Sequence, residues 1–241
     1  MDHKHRKYRF TSSEIYKLIK KGRGNEFSAP GLTYIDEKRI ENRIGRSLSL
    51  NAYSQVIAWG HLFEKLLFER LPNNYSLVSD ETRKHPDPEF SEVWGGTPDF
   101  EITGTMISEA KCYQLKNFAK YTDVLLSEDL DRFKKEFPKE YWQIVSNVII
   151  NEVPYGEAVT FMPYRSELEQ IRNDIEYKDV LESYDLDPWQ FRFITEKPMS
   201  DLAWIEEGGY YKNINIFRFE VPTTDIDLLT ERVRLAKELL K

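Results

Sequence analysis

The stretch from Gly95 to Gln114, GGTPDFEITGTMISEAKCYQ, carries three charged residues whose types and spacing could bind a metal ion. Asp99 stands near its start, and Glu109 and Lys111 follow ten and twelve residues later. Because side chains alternate along a strand, Glu109 and Lys111 would share one face. If the chain reverses at Gly104, Asp99 lies within reach of Glu109. Two carboxylates and one ammonium would then converge.

Two interpretations account for this pattern. Charged side chains are usually solvated, so the hairpin could simply present two polar strand faces to water. Alternatively, two carboxylates this close repel each other unless a cation lies between them, and hard oxygen ligands suit Mg²⁺, for which Mn²⁺ could substitute. The backbone carbonyl of Ala110 would add a neutral ligand. Lys111 could polarise an attacking water or stabilise a phosphorane-like charge, which predicts metal-dependent phosphodiester hydrolysis.

Two other segments favour the metal site. Glu64 lies in the apolar run WGHLFEKLLFER, where a carboxylate is costly unless it is paired or bound to a metal; a solvent-facing Glu64 is the alternative. Gly60, one turn earlier, costs about 1 kcal/mol relative to alanine in a helix, which predicts a close approach by another group. Gln143 and Asn147 would share a helix face. Gln143 could position a water or contact a nucleotide, or the pair could form the wet edge of a surface helix.

The elements that must position these residues alternate between helix and strand. A helix is predicted at TSSEIYKLI, with Thr11, Ser12 or Ser13 as its N-cap. Further helices are predicted at LTYIDEKRIENRIGR, residues 51–71, residues 139–152, RSELEQIRNDIEYKDVLESY and TTDIDLLTERVRLAKELLK. Strands are predicted at NYSLVSDE, GTPDFEI, MISEAKCYQL, EAVTFMPY, QFRFITEK and NINIFRFEVP. A tight turn at Thr103-Gly104-Thr105 would join the second and third strands. This order predicts a single α/β domain over residues 1–241.

The helix at residues 51–71 has an apolar side that suits a central helix packed on a sheet. This side is formed by Val56, Trp59, Phe63, Leu66 and Leu67.

Composition limits the class of protein. The 241 residues are 40% hydrophobic, which indicates a globular chain, and no apolar run approaches the roughly 18 residues of a membrane span. The basic N-terminus lacks the apolar segment of a signal peptide, so we expect a cytoplasmic protein without a membrane partner. Cys112 is the only cysteine, which excludes an intrachain disulfide, a four-cysteine zinc site and an iron–sulfur cluster held by this chain alone. The net charge of −7 argues against indiscriminate nucleic-acid binding but not against a local basic channel.

Six motifs stand in a fixed order over residues 11–150: TSSEIYKLIKKGR, TYIDEKRIENRIGR, AWGHLFEKLLFER, WGGTPDF, SEAKC and YWQIVSNVI. At these residues the sequence resembles the PD-(D/E)XK nuclease superfamily, and within it the phage lambda-type exonucleases, also called YqaJ-like viral recombinase nucleases. The resemblance implies an α/β fold with a restriction-endonuclease-like core, in which a mixed central β-sheet is flanked by α-helices. The core would cover about residues 11–165, and residues 166–241 would complete it. No motif after about residue 165 aligns with the family.

The resemblance also implies a role for each site residue. Asp99 and Glu109 would be the acidic metal ligands, and Lys111 would be the catalytic lysine. Glu64 would be the helix-borne acid and a further metal ligand. Gln143 would match the glutamine on the helix that follows the active-site strands. DNA contacts are implied for residues of the N-terminal helix, namely Ser12, Ser13 and Lys17.

The activity that the resemblance implies is that of a Mg²⁺-dependent deoxyribonuclease. Such an enzyme digests linear double-stranded DNA from a 5′ end in phage-type recombination, often as a ring-shaped homotrimer and together with a single-strand annealing protein. If the chain is phage-encoded, it would act in the host cytoplasm. Two alternatives stay open: a site-specific endonuclease of restriction or repair type, and a non-catalytic DNA-binding or assembly protein that retains the nuclease fold. The complete acidic–lysine set argues against the second, because a degenerate site usually loses one member.

Overall fold

The computed structural model describes residues 8–24, 26–48, 54–78, 82–176 and 179–241. The strands are β1 (Phe10–Thr11), β2 (Ser76–Leu77), β3 (Arg83–Lys84), β4 (Trp94–Gly96), β5 (Phe100–Ile102), β6 (Met106–Lys111), β7 (Tyr155–Phe161) and β8 (Ile214–Glu220). The α-helices are α1 (Ala29–Ile44), α2 (Gln55–Phe68), α3 (Leu115–Leu126), α4 (Leu130–Glu136), α5 (Pro138–Asn151), α6 (Arg165–Glu176), α7 (Asp179–Ser183), α8 (Arg192–Glu196) and α9 (Thr223–Glu238). Short 3-10 helices cover Ser12–Leu18, Pro188–Phe191 and Met199–Asp201.

A mixed five-stranded sheet lies at the centre, in the order β2-β5-β6-β7-β8. Among the described strands of this sheet, β6 and β7 form the one parallel pair, and the helices α3, α4 and α5 make the crossover between them. A smaller sheet has the order β1-β4-β3. Helices flank the central sheet on both faces, which confirms the predicted α/β class with a mixed, helix-flanked sheet.

The alternation of side chains along β6 and β7 divides the core into two layers. Ile107 and Ala158 pack in one cluster with the apolar residues of α5, whereas Ala110 and Val159 pack in the other with those of α2. Glu109 lies two residues after Ile107, so it points towards α5. The sequence pattern of β6 therefore decides which helix faces the charged residues.

The predicted hairpin between β5 and β6 is confirmed. Phe100 pairs with Ser108, and Ile102 pairs with Met106. The turn closes through a 2.9 Å hydrogen bond from the Thr105 amide to the Ile102 carbonyl, and Gly104 takes a φ of 68°, which favours glycine.

The segment after residue 165 completes the central sheet. β8 pairs antiparallel with all seven residues of β7, from Tyr155–Glu220 to Phe161–Ile214. α9 adds Leu229, Val233 and Ala236 to the core on the α5 side. No helix in the described ranges has the length and hydrophobicity to cross a bilayer.

One predicted strand, QFRFITEK, is wrong, because this segment forms the 3-10 helix Pro188–Phe191 followed by α8. Asp187 caps the first turn by accepting a 3.3 Å hydrogen bond from the Trp189 amide. Phe191 and Ile194, which are three residues apart, are both fully buried. Helical spacing buries this pair, and the strand-like alternation of the sequence is incidental.

The helix predictions need two corrections. TSSEIYKLI forms a 3-10 helix, and Thr11 occupies the N-cap without a side-chain hydrogen bond to the helix. On α2, Val56 is exposed and does not belong to the buried side.

The helix predicted after residue 165 is represented by α6 and α7, and residues 177–178 between them lie outside the described residues. At Gly60, no described protein atom beyond the backbone of its own helix lies within 4 Å of an added Cβ. The predicted close approach there is therefore not made by the described part of the protein.

Candidate active site

The β5–β6 hairpin brings Asp99, Glu109 and Lys111 together. The Lys111 Nζ lies 3.5 Å from Glu109 Oε2 and 4.0 Å from Asp99 Oδ2. The backbone amide of Ala110 donates a 2.7 Å hydrogen bond to Asp99 Oδ2, which holds the Asp99 side chain over β6. Lys111 Nζ also donates to the Ala110 carbonyl at 2.9 Å. The interpretation of the hairpin as two solvated polar faces is therefore wrong.

Burial makes this cluster electrostatically strained. The side chain of Glu109 is fully buried, and those of Asp99 and Lys111 are 21% exposed. Burial raises the pKa of Glu109 well above its usual value, and the neighbouring charge of Asp99 raises it further. Burial works to lower the pKa of Lys111, but the charges of Asp99 and Glu109 outweigh it and raise that pKa above its usual value. The site thus keeps Lys111 cationic and favours additional positive charge beside Glu109.

Helix α5 supplies two amide side chains to Glu109. Gln143 Nε2 donates to Glu109 Oε2, and Asn147 Nδ2 donates to Glu109 Oε1. Both amides are buried, so the alternative of a wet edge on a surface helix is wrong. The i, i+4 spacing on α5 lets the pair hold both carboxylate oxygens at once.

Glu64 contributes from α2. It is half-buried, and its negative charge acts on both Glu109 and Lys111. After burial and Asp99, it is a further influence that raises the pKa of Glu109. Glu64 therefore lies near the cluster, outside the hairpin that forms its centre.

The donor set of the hairpin fits a hard divalent cation. Asp99, Glu109 and the carbonyl of Ala110 offer oxygen ligands within one short segment, and a cation beside Glu109 would offset the repulsion between the two carboxylates. Among the described residues, no three acidic, histidine or cysteine side chains form a ready-made metal cluster. The two carboxylates of Asp99 and Glu109 suit Mg²⁺, which is usually bound through one or two carboxylates together with water and substrate phosphate oxygens.

A small polar cavity of about 140 Å³ opens beside Asp99. Besides the carboxylate of Asp99, it is lined by hydroxyl, amide and glycine residues, namely Thr11, Ser12, Ser13, Thr82, Gly96, Thr97 and Gln143. Hydroxyl and amide groups are the uncharged side chains that bind phosphate oxygens in nucleic-acid complexes. The cavity could therefore receive a phosphate next to the two carboxylates.

The three residues implied as DNA contacts occupy different environments. Ser12 is buried, and its hydroxyl donates a 2.7 Å hydrogen bond to Asn147 Oδ1. Ser13 lines the cavity and lies 3.4 Å from the Thr11 hydroxyl. Lys17 pairs with Glu14 at 2.5 Å. DNA contact by these residues stays a prediction; the hydroxyl of Ser12 serves the interior of the site.

Sequence reasoning did not assign the contact between Asn147 and Glu109 or the close packing at Gly96. A Cβ built on Gly96 would lie 1.9 Å from Ser12 Oγ and 2.2 Å from Asn147 Oδ1. One signal was available: the polar pair Ser146-Asn147 interrupts the apolar run IVSNVII, and both residues prove to be fully buried. A buried polar pair on a helix needs partners.

Comparison with known proteins identifies structures of similar fold. No protein-family model matches the sequence, and no curated protein matches it. The alkaline exonuclease LHK-Exo in complex with dAMP superposes with a TM-score of 0.59 at 13% identity, over 98% of this chain and 90% of that one. A second structure of LHK-Exo, from Laribacter hongkongensis, gives 0.56 at 14% identity, over 97% and 88% of the two chains. A phage-related exonuclease from Haemophilus somnus 129PT gives 0.57 at 12% identity, over 96% and 93%. The chain therefore shares the fold of these exonuclease structures, in agreement with the fold that its motifs imply.

Proposed function

We propose that this protein is a metal-dependent deoxyribonuclease that hydrolyses phosphodiester bonds of linear double-stranded DNA. The observation that carries the proposal is the convergence of Asp99, Glu109 and Lys111 on one hairpin, within a fold shared with exonucleases. A complete set of two carboxylates and one lysine also favours an active enzyme over a non-catalytic relative of the same fold.

In the proposed reaction, Asp99, Glu109 and the carbonyl of Ala110 would hold Mg²⁺, and Glu64, the further ligand implied by the motifs, would add negative charge. When bound, Mg²⁺ would supply Lewis acidity and lower the pKa of a coordinated water. Lys111 keeps its proton, because its pKa is raised, so it acts as a hydrogen-bond donor and positive charge. It stabilises the charge that develops on the phosphate in the transition state. Gln143, which lines the cavity, orients Glu109 and contacts the substrate phosphate.

The size and lining of the cavity beside Asp99 support an end-directed mode. A space of about 140 Å³ with hydroxyl and amide groups along its walls suits a single phosphate group. We propose that it binds the terminal 5′ phosphate, which places the next phosphodiester bond at the metal site and gives 5′-to-3′ digestion. The similar exonuclease LHK-Exo was crystallised with dAMP, a deoxynucleoside monophosphate.

The test is a gel assay on linear duplex labelled at the 5′ or the 3′ end. With Mg²⁺ or Mn²⁺ we expect the 5′ label to be released first as a mononucleotide, and with excess EDTA we expect no product. A closed circular duplex should stay intact. Cutting of the circle would instead favour the site-specific endonuclease, and an inert protein across metals and pH would contradict the enzyme proposal.

Removing cavity hydroxyls should weaken the recognition of 5′-phosphorylated ends. In the Ser13→Ala/Thr97→Val variant we expect the preference for a 5′ phosphate over a 5′ hydroxyl to fall by at least about tenfold, because each hydrogen bond to a charged group contributes about 1.5–3 kcal/mol. Competition between the two substrates measures this ratio directly. Ser183→Ala, a change at an exposed serine of α7, is the control. An unchanged ratio in the double variant would show that the end phosphate binds elsewhere.

The remaining features of the proposal concern assembly. We propose a homo-oligomer, trimeric by resemblance, that acts with a single-strand annealing protein in phage-type recombination in the cytoplasm. Exposed Ile40 and Ile44, one turn apart on α1, support a surface that associates with another subunit. Light scattering of the purified protein measures its oligomeric state.

A further inference from the structure

A buried chain of hydrogen bonds connects Trp94 to the Glu109 carboxylate. Trp94 Nε1 lies 2.8 Å from Ser146 Oγ, which lies 2.8 Å from Ser12 Oγ. Ser12 Oγ lies 2.7 Å from Asn147 Oδ1, and Asn147 Nδ2 contacts Glu109 Oε1. This hydrogen-bond chain joins β4, the 3-10 helix Ser12–Leu18, α5 and β6, which are far apart in the sequence.

The donor capacity of each group gives this chain one direction. The indole N–H of Trp94 can only donate, so Ser146 Oγ accepts from it. The oxygen of the Asn147 amide can only accept, so the single hydroxyl proton of Ser12 is used there. Ser146 must then donate to Ser12. With its oxygen occupied, Asn147 can present only its NH₂ group to Glu109.

The surroundings leave the chain no alternative arrangement. Trp94, Ser146 and Asn147 are fully buried, and Ser12 is almost so. The absence of a side chain at Gly96 lets the Ser12 hydroxyl and the Asn147 amide approach β4 closely. An amide flip at Asn147 would place its oxygen against the Glu109 carboxylate, where the two oxygens repel each other. It would also remove the oxygen that now accepts the Ser12 hydroxyl proton. Repulsion at Glu109 and a lost hydrogen bond from Ser12 would therefore disfavour such a flip.

We propose that Asn147 is a positioning residue for Glu109, held in its working orientation by Ser12, Ser146 and Trp94. This inference rests on the proposed function, in which Glu109 is a metal ligand. Gln143 and Asn147 hold the two carboxylate oxygens of Glu109 from the α5 side. The hydrogen bonds through Ser12, Ser146 and Trp94 hold Asn147 in turn. Groups that orient a metal ligand in this way commonly change metal affinity or activity by about 10- to 100-fold when they are removed.

The test is a double-mutant cycle between Ser12→Ala and Asn147→Ala. We expect each single variant to lower kcat by about 10- to 100-fold and to raise the Mg²⁺ concentration for half-maximal activity. KM for DNA ends should change little. Because Ser12 acts through Asn147, Ser12→Ala should cause no further loss in the Asn147→Ala background. Additive losses, or full activity in either single variant, would overturn the proposal.

A matched control separates this role from a general loss of packing. Thr122→Val removes another fully buried hydroxyl, one for which the described residues offer no hydrogen-bond partner. We expect this variant to keep wild-type kcat and Mg²⁺ dependence. A loss in Thr122→Val as large as in Ser12→Ala would mean that the site responds to any change in the core.

A second measurement does not depend on enzyme activity. In the NMR spectrum of the wild-type protein, we expect the side-chain amide protons of Asn147 to exchange slowly with water, and in Ser12→Ala to exchange about tenfold faster, as expected for loss of roughly one hydrogen bond. Slow exchange in a wild-type protein without nuclease activity would contradict the proposed function and leave the hydrogen-bond chain standing. Rapid exchange in the wild type would overturn the chain itself.

Discussion

Replacing Lys111 with methionine is expected to abolish DNA hydrolysis while the protein stays folded. The Lys111 ammonium lies between Asp99 and Glu109 and is the cation nearest to both in the described part of the site. Methionine keeps an unbranched side chain of similar length and removes the charge. Loss of one preorganised donor to a developing charge typically lowers kcat on the order of 10²- to 10³-fold. The loss should be larger here, because Lys111 also offsets the repulsion between the carboxylates.

Asp99→Asn is the matched variant for the metal site. Its side-chain oxygen can still accept the hydrogen bond from the Ala110 amide, so the hairpin geometry should survive. The ligand charge is lost, and we expect calorimetric binding of Mn²⁺ to weaken together with activity. In Lys111→Met, by contrast, Mn²⁺ binding should persist, because the two carboxylates remain.

The measurement is the initial rate of mononucleotide release at saturating Mg²⁺, with circular dichroism as the check on folding. Lys135→Ala, which removes an exposed lysine on α4, is the control for a general change in charge. If folded Lys111→Met retained more than about a tenth of the wild-type rate, Lys111 would not supply the transition-state stabilisation assigned to it.

Local sequence signals predicted the hairpin well, because its determinants are local. Alternation along β6, the turn at Gly104 and the position of Asp99 are all readable within twenty residues. Two strands joined by a tight turn pair at a small cost in loop-closure entropy. The convergence of Asp99 and Lys111 follows from this local geometry.

The α5 side of the site could not be predicted to the same depth. Asn147 and Glu109 are separated by 38 residues, and their contact depends on how the crossover through α3 and α4 places α5 on the sheet. Periodicity shows which residues share a helix face, but it does not show what that face meets. The same limit explains the error at QFRFITEK, where alternating aromatic residues resemble a strand although tertiary burial selects a helical turn.

Replacing Gly96 with alanine should disrupt the site from a residue that carries no chemical group. The new Cβ would lie 1.9 Å from Ser12 Oγ, 2.2 Å from Asn147 Oδ1 and 2.9 Å from Ser12 Cβ. These atoms are buried on both sides, so β4, the Ser12 turn or the Asn147 amide must move. Overpacking of this kind typically costs about 1–3 kcal/mol of folding free energy. Movement of the Ser12 turn or of the Asn147 amide would break the hydrogen bond between them. Movement of β4 would instead displace Trp94 from Ser146 and shift the cavity wall at Gly96.

We therefore expect Gly96→Ala to lower both the denaturation midpoint and kcat, with a loss of activity about as large as that of Asn147→Ala, roughly 10- to 100-fold. Gly60→Ala is a control with the same chemical change, because its new Cβ would meet no atom of the described residues within 4 Å apart from the backbone of its own helix. In the helix interior that substitution should stabilise the protein by up to about 1 kcal/mol.

Urea unfolding and initial rates, measured on both variants, separate the two effects. If Gly96→Ala unfolded and reacted like the wild type, the close packing of Ser12 and Asn147 on Gly96 would not determine the position of Glu109. If it lost activity without losing stability, the new methyl group would act on the hydrogen-bond chain alone, because the fold would have accommodated its volume.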